Sequence, residues 1–228
     1  MGTLYLVRHG QASFGAADYD NLSPLGHQQA VCLGAYFKAR DMQFDGVLVG
    51  SLRRHAQTYA GICEGAGTDA RALVWPGLNE YDSEAVVKAA HPEPLVSQLS
   101  KERSPESYRL HFRLLKQGLA AWMEGRTQPA GMPNYPDFVS GVTSALDHVR
   151  SQFATNADAK VLIVSSGGPI STAVGHILGC PAQATIELNL RIRNCSLTEF
   201  AFTPKRHMLV TYNTLPHLEN KPDWVTYA

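Results

Sequence analysis

Short apolar runs alternate along this chain with longer segments whose apolar residues recur at the spacing of a helix. The short runs at 4–7, 44–49, 73–75, 160–165, 185–190, 195–202 and 206–213 predict strands, and the last two predict a hairpin. The longer segments predict helices over 24–40, 52–64, 83–90, 91–101, 105–124, 137–153 and 167–178. Strands that alternate with helices in this way are typical of an α/β fold.

Residues 83–137 differ from the rest of the chain. Their predicted helices are interrupted by Pro92, Pro94 and Pro105, and a loop rich in glycine and proline follows over 125–136. The sequence has no evident internal repeat, low-complexity segment or second apolar core. We therefore expect a single domain over 1–228, with a helical insert at about 83–137 on its core.

Composition and charge narrow the class of protein. With 228 residues, 44% of them hydrophobic, the chain can bury a full core. Lysine plus arginine equals aspartate plus glutamate at 20 each, so no overall charge attracts nucleic acid or an anionic membrane. No apolar run approaches the ~18 residues that span a bilayer, no signal-like segment precedes the first strand, and the four cysteines lack the spacing of a zinc or redox site. We expect a cytoplasmic protein with no nucleic-acid or membrane partner.

The most reactive residues follow the first predicted strand. Arg8, His9 and Gly10 stand at the carboxyl end of that strand, where open α/β sheets bind ligands. Imidazole is a good nucleophile near neutral pH, and guanidinium binds phosphoryl oxygens with a fork of donors. Glycine lets backbone N–H groups approach an anion. The three residues indicate phosphate chemistry, with a purely structural turn as the alternative.

These residues resemble the RHG motif of the histidine phosphatase superfamily, also called the phosphoglycerate mutase-like family. The resemblance continues through residues 21–30, which are similar to the family's LTPLGxxQA segment. It implies that His9 is the nucleophile and is transiently phosphorylated. It also implies that Arg8 binds the phosphate.

Two adjacent arginines, Arg53 and Arg54, stand at the next strand-to-helix junction. Residues 50–58 resemble the family's SPLxRAxQT segment, and the match at its Gln-Thr end assigns the second phosphate-binding arginine to Arg54 rather than Arg53. The helix macrodipole disfavours cations in a first turn unless an anion lies in front of them, so two solvated side chains are the alternative. Gly50 and His55 stand where the family usually has serine and alanine.

A candidate acid follows the third predicted strand. The segment at 77–82 resembles the family's LxE segment, which implies that Glu80 protonates the leaving group. A carboxylic acid that burial keeps neutral can supply that proton, and its carboxylate can then activate water. Asp82 is the rival for this role, and an ordinary surface carboxylate is the alternative for Glu80.

One motif departs from the family at an important position. Residues 164–168 resemble the VSHGG segment, but Ser166 replaces the second active-site histidine. Ser166 and Gly167 open a helix whose first N–H groups can bind an anion, so both are candidate phosphate ligands. Serine donates one hydrogen bond without charge, and losing one transition-state donor typically costs ~10²- to 10³-fold in rate. Three histidines elsewhere are candidates to replace the imidazole in space: His55, His111 and His176.

The resemblance implies a three-layer α/β/α sandwich around a mixed, mostly parallel six-stranded sheet, with the helical insert over the site. It implies a hydrolase that cleaves phosphate monoesters through phosphohistidine at His9, without metal or other cofactor, on a small phosphorylated substrate or a phosphoprotein. A phosphoglycerate mutase fits less well, because Gly15 occupies the asparagine position of the mutases' RHGExxWN run. A weakened or inactive protein that binds a phosphorylated ligand, and a serine hydrolase that uses Ser166, are the other hypotheses.

Overall fold

The computed structural model describes residues 1–13, 20–96 and 105–227. Its strands are β1 (Gly2–Arg8), β2 (Gly46–Val49), β3 (Leu73–Val74), β4 (Lys160–Ser165), β5 (Leu197–Phe202) and β6 (His207–Thr214). Its α-helices are α1 (Pro24–Lys38), α2 (Arg53–Ala66), α3 (Ser83–Ala90), α4 (Glu93–Val96), α5 (Pro105–Met123), α6 (Tyr135–Phe153), α7 (Gly167–Leu178) and α8 (Ala182–Arg191). Short 3₁₀ turns lie at Pro76–Leu78, Pro216–Leu218 and Pro222–Trp224.

The strands form one sheet in the order β3-β2-β4-β1-β5-β6. Strands β3, β2, β4 and β1 are parallel, whereas β5 is antiparallel to β1 and β6 is antiparallel to β5. At the centre Arg8 pairs with Ser165, and one residue earlier Val164 pairs with both Val7 and Val49. The carboxyl ends of β1, β2 and β4 therefore meet at one edge, and the residues that follow these strands become neighbours.

Helices cover both faces of the sheet. The face toward α1 and α2 buries apolar residues of strands and helices alike: Val7, Val47, Val49, Leu162, Val164, Ala30, Leu33, Phe37 and Ile62. The opposite face packs on α3, α5, α6, α7 and α8, with Trp122 and Phe200 among its largest fully buried side chains. Full burial of one such side chain is worth about 1.5–3 kcal/mol. The predicted three-layer α/β/α fold is confirmed.

The turn after β1 packs directly on the backbone of α1. Ser23 caps this helix by accepting a hydrogen bond from the Gly26 N–H at 3.0 Å, and Pro24 follows as its first residue, as predicted. A Cβ on Gly10 would lie 2.3 Å from the Gly26 carbonyl oxygen, and a Cβ on Gly26 would lie 2.1 Å from that of Gln11. Both positions therefore need glycine, and the close contact fixes the chain just beyond His9.

One predicted strand is wrong. Residues 185–190 lie in helix α8, not in a strand. Apolar residues at every second position favour a strand, but Ile186 and Leu190 are also four apart and share one side of a helix. Ile186 is buried in the core, and Thr185 lies so close to α7 that a Cβ on Gly175 would come within 2.4 Å of its hydroxyl oxygen. Packing against α7 therefore decides between the two periods.

The proline-containing segment is only partly described. Of the predicted helix over 91–101, the structure has α4 at Glu93–Val96, and residues from 97 to 104 lie outside the described part. The assignment of 83–137 as an insert in a single domain over 1–228 stays a prediction. None of the described helices is long and apolar enough to cross a membrane.

Candidate active site

His9 is held rigidly by the strands on either side of it. Its backbone N–H donates to the Ser165 carbonyl at 2.8 Å, and its carbonyl accepts from the Cys195 N–H at 3.1 Å. In the ring, Nδ1 lies 2.7 Å from the Gly10 carbonyl oxygen. Because a carbonyl oxygen only accepts, Nδ1 must carry the proton. The lone pair of His9 is therefore on Nε2.

The surroundings of His9 keep its imidazole neutral. The residue is 3% exposed, and this burial lowers the pKa of the ring well below its usual value. The positive charges of Arg8 and Arg54 and the His55 ring lower the pKa further, against a smaller opposing effect of the Gly10 carbonyl. A neutral imidazole with a defined lone pair is the form that acts as a nucleophile.

Arg8 is fixed by backbone carbonyls from two distant parts of the chain. Its Nη1 donates to the Ile192 carbonyl at 2.6 Å, just after α8, and to the Tyr227 carbonyl at 2.7 Å. No sequence pattern indicates either contact. Through these contacts, the residue after α8 and Tyr227 hold the Arg8 guanidinium in place beside His9.

Arg54 lies in the first turn of α2 and is 7% exposed. Its Nη1 donates to Asp20 Oδ1 at 2.8 Å, while Asp20 Oδ2 accepts the Arg53 N–H at 2.8 Å. The Asp20 carboxylate is therefore an anion in front of the helix, which removes the macrodipole argument against cations there. Arg53 is exposed and donates to Asn21 Oδ1 at 3.3 Å. The role of Asp20 was missed; its only signal was an acidic residue in the polar loop after the RHG motif.

Glu80 and Asp82 have different environments. The Gly168 N–H donates to both Glu80 oxygens, at 3.0 and 3.2 Å, and the Tyr81 N–H lies 3.3 Å from Oε1. Part of the residue is exposed, yet protein atoms surround its carboxyl group, and this burial raises the pKa above the usual value. The two N–H groups, with Arg54 and Arg8, oppose that rise. Asp82 instead caps α3, where its Oδ1 accepts the N–H groups of the first turn.

Ser166 is the residue before α7 and contacts a histidine. It is fully buried, and its Oγ lies 2.6 Å from His55 Nε2. His111 instead lies in α5 with its ring against Phe112, and His176 is exposed in the last turn of α7. Of the three histidines considered as replacements, the structure brings His55 to the position of Ser166.

The other predicted site residues form one cluster. Charge interactions connect His9 with Arg8, Arg54 and His55, and connect Glu80 with both arginines. Gly167 approaches α8 closely, because a Cβ on it would lie 2.8 Å from Asn189 Oδ1. Within the described ranges, no group of three or more histidine, cysteine or acidic side chains is arranged to hold a metal ion. The cluster brings together an imidazole with a defined lone pair, a carboxyl group whose pKa is raised, and fixed positive charge.

The chain belongs to the histidine phosphatase superfamily, because the family model for branch 1 of that superfamily matches residues 4–215. It is similar to a curated protein of Erwinia tasmaniensis named Probable phosphoglycerate mutase GpmB. The two are 29% identical over 201 residues, which cover 86% of this chain and 82% of that protein.

Solved structures share the fold. A phosphoglycerate mutase from Bacillus anthracis has a TM-score of 0.64 at 17% identity and covers 95% of this chain and 94% of its own. A phosphoserine phosphatase from Entamoeba histolytica, solved with phosphoserine, has a TM-score of 0.60 at 19% identity, with 96% and 100% covered. A mycobacterial glucosyl-3-phosphoglycerate phosphatase has a TM-score of 0.63 at 22% identity, with 93% and 98% covered.

We predict that His9 stays neutral, with its proton on Nδ1, at ~pH 6, below the usual imidazole pKa of about 6.5. Burial and two nearby guanidinium groups disfavour the cation, so the ring gains its second proton only at lower pH. Nitrogen-15 NMR of histidine side chains measures this directly. The same protein unfolded in urea is the control, because there His9 regains an ordinary pKa. A doubly protonated ring in the folded protein at that pH would contradict the assignment.

Proposed function

We propose that the protein is a phosphomonoesterase that works through a phosphohistidine at His9. The observation that carries this proposal is the hydrogen bond from Nδ1 of His9 to the Gly10 carbonyl, which leaves the Nε2 lone pair available in a neutral ring between two arginines. Membership of the superfamily supports the same class of reaction. The proposed chemistry needs no metal and no organic cofactor.

The first proposed step transfers the phosphoryl group to the enzyme. His9 Nε2 attacks phosphorus, and the new P–N bond forms as the P–O bond to the leaving alcohol breaks. The Glu80 carboxylic acid gives its proton to the departing oxygen, a role that its raised pKa favours. Positive charge develops on the imidazole, and the Gly10 carbonyl that accepts from Nδ1 stabilises it.

The second proposed step regenerates the enzyme. The Glu80 carboxylate takes a proton from water as the water oxygen attacks phosphorus. The P–N bond then breaks, inorganic phosphate leaves, and His9 returns to its neutral form with the lone pair on Nε2. One carboxyl group serves first as acid and then as base, so a single buried glutamate satisfies both steps.

Four groups are proposed to bind the phosphoryl oxygens: Arg8, Arg54, the Ser166 hydroxyl and the N–H of Gly167. Arg8 and Arg54 keep positive charge at any working pH and are already fixed by neighbouring groups, so little reorganisation is needed when charge develops. The carboxylate of Asp20 occupies one donor of Arg54. We infer that an incoming phosphate displaces it from that nitrogen.

The proposed substrate is a small phosphorylated molecule in the cytoplasm, or a phosphorylated protein. Solved relatives include a phosphoserine phosphatase with bound phosphoserine and the same enzyme with bound 3-phosphoglyceric acid. The segment at 83–137, proposed as an insert over the site, would then contact the alcohol part of the substrate. Its helices α3 and α5 pack on the same core as Tyr81, which follows Glu80 directly.

A phosphoglycerate mutase is the second candidate, because the curated relative carries that name. A mutase keeps the phosphoryl group on the enzyme until it returns to a hydroxyl of the substrate, whereas the proposed phosphatase transfers it to water. Phosphorus NMR of 3-phosphoglycerate incubated with the protein separates the two. Release of inorganic phosphate supports the phosphatase, and appearance of 2-phosphoglycerate supports the mutase.

We predict that His9→Ala lowers hydrolysis of para-nitrophenyl phosphate to the background rate, because no other group replaces the nucleophile. The matched control is His27→Ala on α1, whose half-exposed side chain lies 3.1 Å from Glu64 and is not one of the proposed site groups. The control should keep wild-type kcat/KM. Equal turnover in the His9 variant would remove His9 as nucleophile, and absence of turnover in the wild type would favour a protein that only binds phosphorylated ligands.

We predict that Glu80→Gln lowers kcat/KM, which reports the first step, by ~10²-fold or more for an alkyl phosphate but far less for para-nitrophenyl phosphate. Only a poor leaving group needs a strong proton donor in the first step. Asp82→Asn is the matched control, since asparagine also caps helices well and should leave both rates near wild type. If the leaving-group dependence follows Asp82 instead of Glu80, the acid is misassigned.

A further inference from the structure

Three of the positions at which this chain departs from its family's motifs lie in one place in the fold. Gly50 replaces the usual serine, His55 replaces the usual alanine, and Ser166 replaces the usual histidine. His55 is the third residue of α2, and Ser166 precedes α7. These helices follow β2 and β4, and the last residues that these two strands pair with each other are Val49 and Val164. His55 and Ser166 are 111 residues apart in sequence but in contact in the fold.

His55 reaches Ser166 directly. Its Nε2 lies 2.6 Å from the Ser166 Oγ, and both residues are fully buried. The next residue beyond the central Arg8–Ser165 pair on each strand is His9 on one side and Ser166 on the other. The His9 and His55 ring centroids are 5.8 Å apart. The serine hydroxyl therefore contacts the His55 imidazole, whose ring lies near that of His9.

The glycine at position 50 makes room for this imidazole. A Cβ on Gly50 would lie 2.2 Å from His55 Nδ1 and 2.8 Å from its Cε1. Any residue other than glycine at position 50 would push the ring from its place. A histidine at position 166 would also need the space that His55 Nε2 fills. His55 therefore fits with Gly50 and Ser166 but would crowd the serine and the histidine that the family usually has at those two positions.

We propose that His55 is a positioning residue of the phosphate site, which sets the Ser166 hydroxyl to donate to the phosphoryl group, and that Gly50, His55 and Ser166 act as one unit. This rests on the proposed function. Phosphoryl oxygens only accept hydrogen bonds, so the Ser166 proton must point to them. The proton on the line between the two side chains then belongs to His55 Nε2. The His55 imidazole, which comes from α2, thus supports the Ser166 hydroxyl as a donor. In the family, the histidine that usually stands at position 166 would itself be that donor.

The electrostatics of His55 agree with this arrangement. Burial and the Arg54 charge lower the pKa of the ring to about 3, against a smaller opposing effect of the Gly50 backbone, so the imidazole is neutral in the working range. A neutral ring with its proton on Nε2 has a lone pair on Nδ1. Among the described residues, Nδ1 makes no hydrogen bond of good geometry and faces Gly50. A serine nucleophile with a His55 base would need a carboxylate on Nδ1 to orient the ring, and none is bonded there.

Moving the histidine from position 55 to position 166 tests whether Gly50, His55 and Ser166 act as one unit. The variants are His55→Ala, Ser166→His and the double variant, each assayed for kcat/KM on para-nitrophenyl phosphate and for the affinity of inorganic phosphate by calorimetry. We expect each single variant to lose ~10- to 100-fold in kcat/KM, the range for a residue that orients a ligand-binding group. The double variant should recover most of that loss, because the imidazole then comes from position 166 with room to fit. Single variants with wild-type values, or losses that simply multiply in the double variant, would overturn the proposal.

A second pair of variants separates positioning from folding. Gly50→Ala moves the His55 ring without removing any polar atom, so we expect it to lower phosphate affinity and kcat/KM. In the His55→Ala background the two ring contacts are gone and the next atom from this Cβ is the Asn79 Oδ1 at 3.0 Å, so the change should have little further effect. Thermal unfolding shows whether each variant is folded at the assay temperature. Variants that lose stability while keeping wild-type phosphate affinity and kcat/KM would assign His55 a purely structural role and overturn the proposal.

The two readouts keep this test separate from that of the proposed function. Absence of turnover in the wild type counts against the phosphatase. The comparison of single and double variants then relies on phosphate affinity alone. If the wild type does not bind inorganic phosphate either, the positioning role is overturned as well. Covalent labelling of Ser166 by an aryl phosphonate, to the same extent in the His9→Ala variant, would also overturn the positioning role of His55 in favour of a serine nucleophile.

Discussion

The parallel pairing of β1 with β4 at the centre of the sheet is the constraint on which the site depends. With Arg8 beside Ser165, the turn that carries His9 and the start of α7 emerge side by side. Strand β2 pairs with the other edge of β4 and brings α2, with Arg54 and His55, to the same place. A shift of one residue between β1 and β4 would turn every side chain to the opposite face and separate His9 from Ser166.

Electrostatic balance follows from this crowding. Two guanidinium groups, two buried imidazoles and one buried carboxyl group share a small volume. Burial disfavours charge on His9, His55 and Glu80, while the arginines, which do not lose their protons, retain the positive charge. The imidazoles therefore stay neutral beside permanent positive charge, as the proposed nucleophilic attack and anion binding require. The Asp20 carboxylate bonded to Arg54 balances part of that charge.

The sequence predicts the central parts of this arrangement. Buried strands followed by Arg8-His9-Gly10, by Arg53-Arg54 and by Gly167-Gly168 indicate an anion site at the carboxyl edge of a sheet, and these strands and helices have nearly the predicted bounds. Residues 185–190 were predicted wrongly because six residues fit two periods equally well. Only packing against α7 decides between them.

Long-range contacts of single side chains lie beyond sequence patterns. The carbonyls of Ile192 and Tyr227 hold Arg8 across more than 180 residues, and no local signal marks a carbonyl for that role. The contact between His55 and Ser166 had a signal, namely three departures from one family's motifs. Their meaning became visible only when the fold placed them together.

The identity of the phosphorylated residue tests the account most directly. Enzyme mixed with a radiolabelled phosphate ester, stopped in alkali during turnover and digested, should yield one labelled peptide that contains His9. Its label should survive alkali and be lost in acid, as expected for phosphate on an imidazole nitrogen. An acid-stable label on Ser166, or turnover without any labelled peptide, would contradict the account.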